Sequence, residues 1–160
     1  MAEPILTLDK YNLLEVLGRG GMATVYKARM NGPMGFEKLA AVKLLHTELG
    51  SDKDVVGMFI GEARVGANLS HPNVIGILDF GMIDNRYYLA MEYVDGCSLA
   101  NLVKPGAAAG KPMPIEAAVC AIIDALDGLA YVHTARDPNG SPLGIVHRDI
   151  SPQNIMVGRD

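Results

Sequence analysis

Positive charge is not in excess in this chain: 14 lysines and arginines stand against 18 aspartates and glutamates, a net charge of −4 over 160 residues. A protein held to nucleic acid by phosphate contacts needs the opposite balance, so no nucleic-acid partner is expected. Cysteine is scarce as well. Cys97 and Cys120 are the only two, far apart and without metal-ligand spacing, which argues against a disulfide framework or a zinc site. A reduced, cytoplasmic setting is the expectation that follows. The opening MAEPILTLDKYN has neither the basic nor the apolar region of a secretory signal. No apolar run approaches the ~20 residues of a membrane helix. The longest, Ile115 to Ile123, contains Glu116 and is closed by Asp124, so no membrane span is expected in this chain.

What the chain does contain is a succession of short β-favouring runs punctuated by glycine and polar turns. Residues 11–18 and 23–30 read as a strand, turn and strand, and residues 38–45 as a third strand. A helix is predicted over residues 54–69, closed by Ser70-His71-Pro72-Asn73. Two more strands, 74–80 and 87–94, are joined by the turn Asp84-Asn85-Arg86. Five strands and one helix make a first lobe that ends at Asp95-Gly96. After it, residues 105–114 read as a Gly/Ala/Pro loop. A long amphipathic helix follows over 114–133, apolar at Ile115, Ala118, Val119, Ile122, Leu126, Leu129 and Val132, with Pro114 in its first turn. The turn-rich Asp137-Pro138-Asn139-Gly140-Ser141-Pro142 leads to His147, and residues 155–157 begin a last strand.

Several patterns carry chemistry, each beside a plainer reading. The string Gly18-Arg19-Gly20-Gly21-Met22-Ala23-Thr24-Val25 is either an ordinary hairpin turn or a loop whose backbone N–H groups close over phosphates. It is not a dinucleotide fingerprint, because the glycines run into a β-favouring stretch rather than a helix. Lys43 lies within an apolar strand and either reaches to solvent or meets an anion. Glu62 shares a helical stripe with Val55, Phe59, Gly66 and Leu69, which turns a carboxylate to the apolar side. Pairing with Lys43 would offset the cost of burying it; the alternative is outward rotation toward Arg64 or solvent. Met91-Glu92-Tyr93-Val94-Asp95-Gly96 is at least an edge strand ending in a turn. His147-Arg148-Asp149, with Asn154 five residues after the aspartate, would by itself pass for a surface turn.

The five patterns occur in one order with compatible gaps, and together they resemble the protein kinase domain. LGRGGMATVYKA and MEYVDG are similar in wording to bacterial serine/threonine kinases. The resemblance implies an α+β, protein-kinase-like fold. Residues 1–94 would form a complete five-stranded N-lobe with one helix, and residues 95–160 the first, mainly helical part of a C-lobe. It implies ATP and Mg2+ as cofactors and Ser or Thr hydroxyls of a protein substrate as acceptors. On that resemblance Gly18, Gly20, Gly21 and Lys43 hold the phosphates, and Glu62 fixes Lys43. Leu17, Val25, Ala41 and Met156 enclose the adenine, Met91 gates the pocket behind it, and Glu92 and Val94 bond its edge through their backbone. Asp149 accepts the hydroxyl proton, and Asn154 is a metal ligand.

The pattern is broken in three places. Ala23 stands where the family's third glycine usually sits, and Ser151 where serine/threonine kinases usually place a lysine. Loss of one such charge typically costs about 10²–10³ in rate. The Asp-Phe-Gly motif that follows the catalytic loop would fall beyond Asp160. The resemblance therefore implies a truncated kinase domain that is inactive on its own. The alternative is a non-catalytic, pseudokinase-like module for nucleotide binding or interaction. A small-molecule phosphotransferase of related fold accounts less well for residues 91–96 and 147–154. The apolar face of the 114–133 helix is expected to stay open, as a surface for self-association or a partner.

Overall fold

Residues 40–45 are apolar at every position except Lys43, and strand alternation explains why. The computed structural model, which describes residues 4–108, 110–137 and 139–159, places them in a strand buried on both faces. Pro138 and Asp160, named above, lie outside the described residues. Ala40, Val42 and Leu44 enter one core with Leu8, Tyr11, Leu13, Ala28, Tyr88 and Ala90. Leu45 enters a second, with Ala23, Phe59, Ala63 and Leu89. Successive side chains point to opposite faces, so a strand between two cores must be apolar throughout.

The chain divides into two units, one comprising the sequence up to Asn68 together with Ile75–Tyr93, the other Leu69–Val74 together with the sequence from Val94. In the first, β1 (Leu6–Leu8), β2 (Tyr11–Arg19), β3 (Ala23–Asn31), β4 (Glu37–Leu45), β5 (Ile77–Ile83) and β6 (Arg86–Glu92) form one antiparallel sheet in the order β1-β2-β3-β4-β6-β5. All five expected strands are present, and the short β1 is added at the edge, pairing Leu6 with Leu13. Three residues gave too little pattern to be read as a strand. Asp84 and Asn85 join β5 to β6 with φ of 50° and 60°, the left-handed pair that a two-residue hairpin turn requires.

Helix α1 (Lys53–Gly66) begins at Asp52, whose carboxylate accepts from the amides of Asp54 (3.0 Å) and Val55 (3.2 Å). It ends three residues short of the predicted Leu69. Asn68 Nδ2 donates to the Arg64 carbonyl at 2.8 Å there, and a Cβ on Gly66 would sit 2.5 Å from Ile77 Cγ1. The predicted strand 74–80 also moves, to Ile77–Ile83. Residues 71–74 instead form their own turn, with Val74 N donating to His71 O (3.0 Å) and Asn73 N to His71 Nδ1 (3.2 Å).

In the second unit the predicted loop 105–114 is corrected, because α2 (Leu99–Ala108) runs through its first residues. Pro105 and Gly106 read as breakers, but the helix is secured at its start. The amides of Leu99 and Ala100 donate to the carbonyls of Ile155 (2.8 Å) and Pro152 (2.9 Å), and that of Asn101 to Ser98 Oγ (3.3 Å). These satisfy donors that a helix leaves unpaired in its first turn. β7 (Gly96–Ser98) pairs with β8 (Met156–Gly158), and α3 (Ile115–Thr134) follows Pro114, which is its N-cap rather than a first-turn residue. His71 stacks on Tyr131 of α3 with ring centroids 4.9 Å apart, and Ser70 N donates to the Tyr131 hydroxyl at 2.9 Å. Gly128 and Val132 are the buried residues of α3, whereas Ile115, Val119, Ile122, Ile123 and Leu126 are exposed.

Asp79, Phe80 and Gly81 spell Asp-Phe-Gly, yet each serves the sheet. Asp79 Oδ2 receives Lys10 Nζ at 2.7 Å and the hydroxyls of Tyr11 (3.3 Å) and Tyr88 (3.4 Å), and its Oδ1 receives the Phe80 amide at 2.9 Å. Phe80 stacks on Tyr87, and a Cβ on Gly81 would meet the Tyr88 ring at 2.7 Å. Burial acts to raise the Asp79 carboxyl, but the hydrogen bond and charge of Lys10 outweigh it and leave it below its ordinary 3.8. Its ionised form is thus favoured by folding. That stability is full above pH 3.8 and is lost as pH falls through the lower folded value. Asp79→Asn should cost about 1–2 kcal/mol at neutral pH, the scale of a charge-assisted hydrogen bond. In urea melts the gap to the parent chain should close in acid; a gap independent of pH would refute this account.

Candidate active site

The turn between β2 and β3 closes through backbone hydrogen bonds. Gly18 pairs with Val25 and Arg19 with Thr24, and Gly20 N donates to Ala23 O at 2.9 Å. A Cβ on Gly18 or Gly21 would meet nothing within 4 Å, and one on Gly20 only the Ala23 carbonyl at 3.5 Å. None of the three has a positive φ. Neither sterics nor backbone conformation requires glycine here, so the fold itself does not account for them. Bare backbone here leaves the turn open to the close approach of another group. Ala23, the departure from the family pattern, is buried beside Leu45, Phe59, Ala63 and Leu89. Its methyl is part of the core beneath the turn.

Register then brings side chains to one face. Val25 pairs with Lys43, Lys43 with Leu89, and Ala41 with Met91. Directly paired residues in antiparallel strands share a face, so Val25, Ala41, Lys43 and Met91 lie on the α1 side of the sheet. Lys43 Nζ donates to Glu62 Oε1 at 2.8 Å and to Oε2 at 2.6 Å, and lies 5.7 Å from the Phe59 ring centroid. The expectation that Glu62 faces the apolar side needs correction: its side chain is 46% exposed against 21% for Lys43, and Phe59 and Ala63 take the buried face. A pair so exposed contributes about 0–1 kcal/mol to stability. What it does is hold one ammonium in one place. Leu17 and Glu92 are exposed in this unit, and Lys27 lies 4.9 Å from the Tyr93 ring centroid.

In the second unit the segment 147–154 forms a closed polar loop. Asn154 Nδ2 donates to Asp149 Oδ2 (2.8 Å) and to the Asp149 carbonyl (3.0 Å), and Asp149 N donates to His147 Nδ1 (3.3 Å). Arg148 adopts φ 65°, a left-handed conformation costly for a residue with a side chain. Both hydrogen atoms of the Asn154 amide are thereby engaged on Asp149, which leaves Oδ1 as the atom able to ligate a hard cation. Among the described residues no three His, Cys, Asp or Glu side chains cluster as a metal site. The Asn154 backbone amide donates to the Ser151 carbonyl at 2.9 Å; Val94 and the exposed Met156 also belong to this unit.

Two groups escaped sequence reasoning. One is Asp79, engaged by Lys10, Tyr11 and Tyr88. The other is the contact of Thr24 Oγ1 with His46 Nε2 at 3.1 Å, formed between residues on adjacent strands' ends. No spacing rule links such partners.

Residues 11–160 match the family model described as the protein kinase domain. Among curated proteins the chain is 36% identical over 147 residues to the tyrosine-protein kinase MasK of Myxococcus xanthus, covering 92% of this chain and 23% of that protein. It is 38% identical over 149 residues to a probable serine/threonine-protein kinase of Clostridium perfringens, covering 93% of this chain and 20% of that one. Among solved structures the PknI kinase domain of Mycobacterium tuberculosis superposes with a TM-score of 0.71 at 26% identity, over 99% of this chain and 58% of that domain. The chain thus spans between a fifth and a quarter of the length of these curated relatives.

Restoring glycine at position 23 should weaken the protein rather than repair it. Ala23→Gly deletes a buried methyl and adds backbone freedom, together about 1 kcal/mol or more. A melting temperature lower by several degrees is expected; an unchanged one would mean the methyl is not part of the core.

Proposed function

The chain belongs to the protein kinase domain family, and we propose that it is the nucleotide-binding part of an ATP-dependent bacterial serine/threonine protein kinase. The observation that carries this reading is the two-oxygen pairing of Lys43 with Glu62 beneath a glycine turn that nothing in the fold requires. Lys43 held this way presents its ammonium to phosphate oxygens, while the bare backbone of Gly18, Gly20 and Gly21 supplies N–H donors. Leu17, Val25, Ala41 and Met91 would line the adenine site in the first unit, with Glu92 bonding the adenine edge through its backbone. Mg2+ would neutralise charge on the phosphates, and Asn154 Oδ1 would hold it from the 147–154 loop.

For transfer, Asp149 accepts the proton of a Ser or Thr hydroxyl while the hydroxyl oxygen bonds to the γ-phosphorus. The bond from that phosphorus to the bridging β,γ-oxygen breaks, and ADP leaves with the electron pair. The amide of Asn154 orients the Asp149 carboxylate by its hydrogen bond to Oδ2. We propose further that these 160 residues bind nucleotide but do not turn it over alone, since no Asp-Phe-Gly follows Asn154 within them. The second reading, a module that binds without catalysis in any context, is favoured by Ser151, which removes a positive charge from the transition state.

Nucleotide binding tests the first step. ATP with Mg2+ should raise the melting temperature of the chain, and Lys43→Met should abolish the rise. An equal rise in the Lys43→Met variant would remove that lysine from the site. Asp149→Asn should leave the shift intact. Transfer of labelled phosphate to a mixed Ser, Thr and Tyr substrate by the 160-residue chain, lost in Asp149→Asn, would overturn the proposal of no turnover.

A further inference from the structure

The three glycines bring no side chains to the turn; Met22 and Ala23 pack it against the core on one sheet face, and its hold on the other face must come from elsewhere. Immediately below it, Met22 O accepts from the backbone amide of His46 at 2.9 Å. Beside that bond, Thr24 Oγ1 lies 3.1 Å from His46 Nε2. Thr24 is only 5% exposed and is the one buried polar side chain among the described residues. A hydroxyl removed from water demands a partner, and the imidazole supplies it. Thr24 is paired with Leu44, two residues before His46, so the contact lies on the sheet face opposite Lys43. His46 itself follows the last residue of β4 and is followed by a short 3-10 turn, Thr47–Leu49, whose Leu49 amide donates to the His46 carbonyl at 3.0 Å. The ring is therefore held from its own backbone side, and the threonine is held by the ring.

We propose that His46, acting through Thr24, is a positioning residue that clamps the glycine turn at the height where its amides meet the nucleotide phosphates. The clamp fixes the β3 end of the turn: Ala23 is anchored in the core on one sheet face, and Thr24 is anchored to His46 on the other. Consecutive residues of one strand, fixed on opposite faces, leave the turn little freedom to rock. This inference rests on the reading of the turn as a phosphate cradle. It does not involve the groups that contact adenine or the catalytic loop.

The test compares affinities of the 160-residue chain for ATP and for adenosine. His46→Phe keeps an aromatic ring but loses the polar nitrogen. It should weaken ATP about five- to tenfold, the worth of one hydrogen bond, while adenosine affinity stays unchanged. His46→Gln, whose amide reaches a position near Nε2, should restore the ratio. Thr24→Val should reproduce the loss and Thr24→Ser relieve it. General destabilisation would lower both affinities together and would not be rescued by Gln or Ser. Amide hydrogen exchange without nucleotide gives an independent arm: the amides of Gly20 and His46 should exchange faster in His46→Phe, with Val42 and Leu44 unaffected. If the parent chain binds ATP and the ATP-to-adenosine ratio is unmoved by His46→Phe, the proposal is overturned. If the parent binds neither ligand, the nucleotide reading has failed, and unchanged exchange at Gly20 and His46 then overturns the clamp as well.

Discussion

Strand β4 constrains the first unit more than any other element, because its side chains alternate between two cores. Ala40, Val42 and Leu44 serve one, and Ala41 and Leu45 turn to the other face. A slip of one residue would exchange every side chain between the faces, so the register is strongly specified. Lys43 inherits its place from that constraint. It is the single charged position in the buried run, and the register aims it at α1, where Glu62 meets it. The ion pair adds little stability at its exposure. Apolar packing around it, chiefly Phe59 against Leu45 and Leu89, does the holding.

The second unit reaches a similar end by hydrogen bonds. Its segment 147–154 has no regular structure, and its side chains are largely exposed. It is held because its carbonyls do double duty: Pro152 and Ile155 accept the first amides of α2, and β8 pairs with β7 immediately before that helix. Helix and loop satisfy one another's backbone, which explains why a stretch rich in glycine, alanine and proline is helical up to Ala108. The loop in turn bears the left-handed Arg148 and the Asn154–Asp149 contact.

Similar letters can serve opposite purposes in one chain. Asp79-Phe80-Gly81 carries the letters of a metal-binding motif, but its carboxylate is engaged by a lysine and two tyrosines, and its glycine makes room for Tyr88. Gly18, Gly20 and Gly21 show the reverse: no packing or backbone strain calls for them. A residue whose features are all accounted for by the fold is structural; one whose features are not is a candidate for function.

The sequence by itself determined the five main strands, the two long helices, the order of the motifs and the family, because these rest on local periodicity and on short spacings along the chain. It also singled out Lys43, Glu62, Asp149 and Asn154 as candidates for chemistry, since they stand in recognisable company. Only the tertiary structure decided the rest. β1 is too short to show a period, and the start of α2 depends on carbonyls more than fifty residues away. The end of α1 depends on the approach of Ile77, and the exposure of Glu62 on which helical face the sheet covers. The clusters of Asp79 and of Thr24 with His46 join residues whose separation obeys no local rule. A hydrogen bond between distant side chains is created by the fold, and no pattern within either strand announces it.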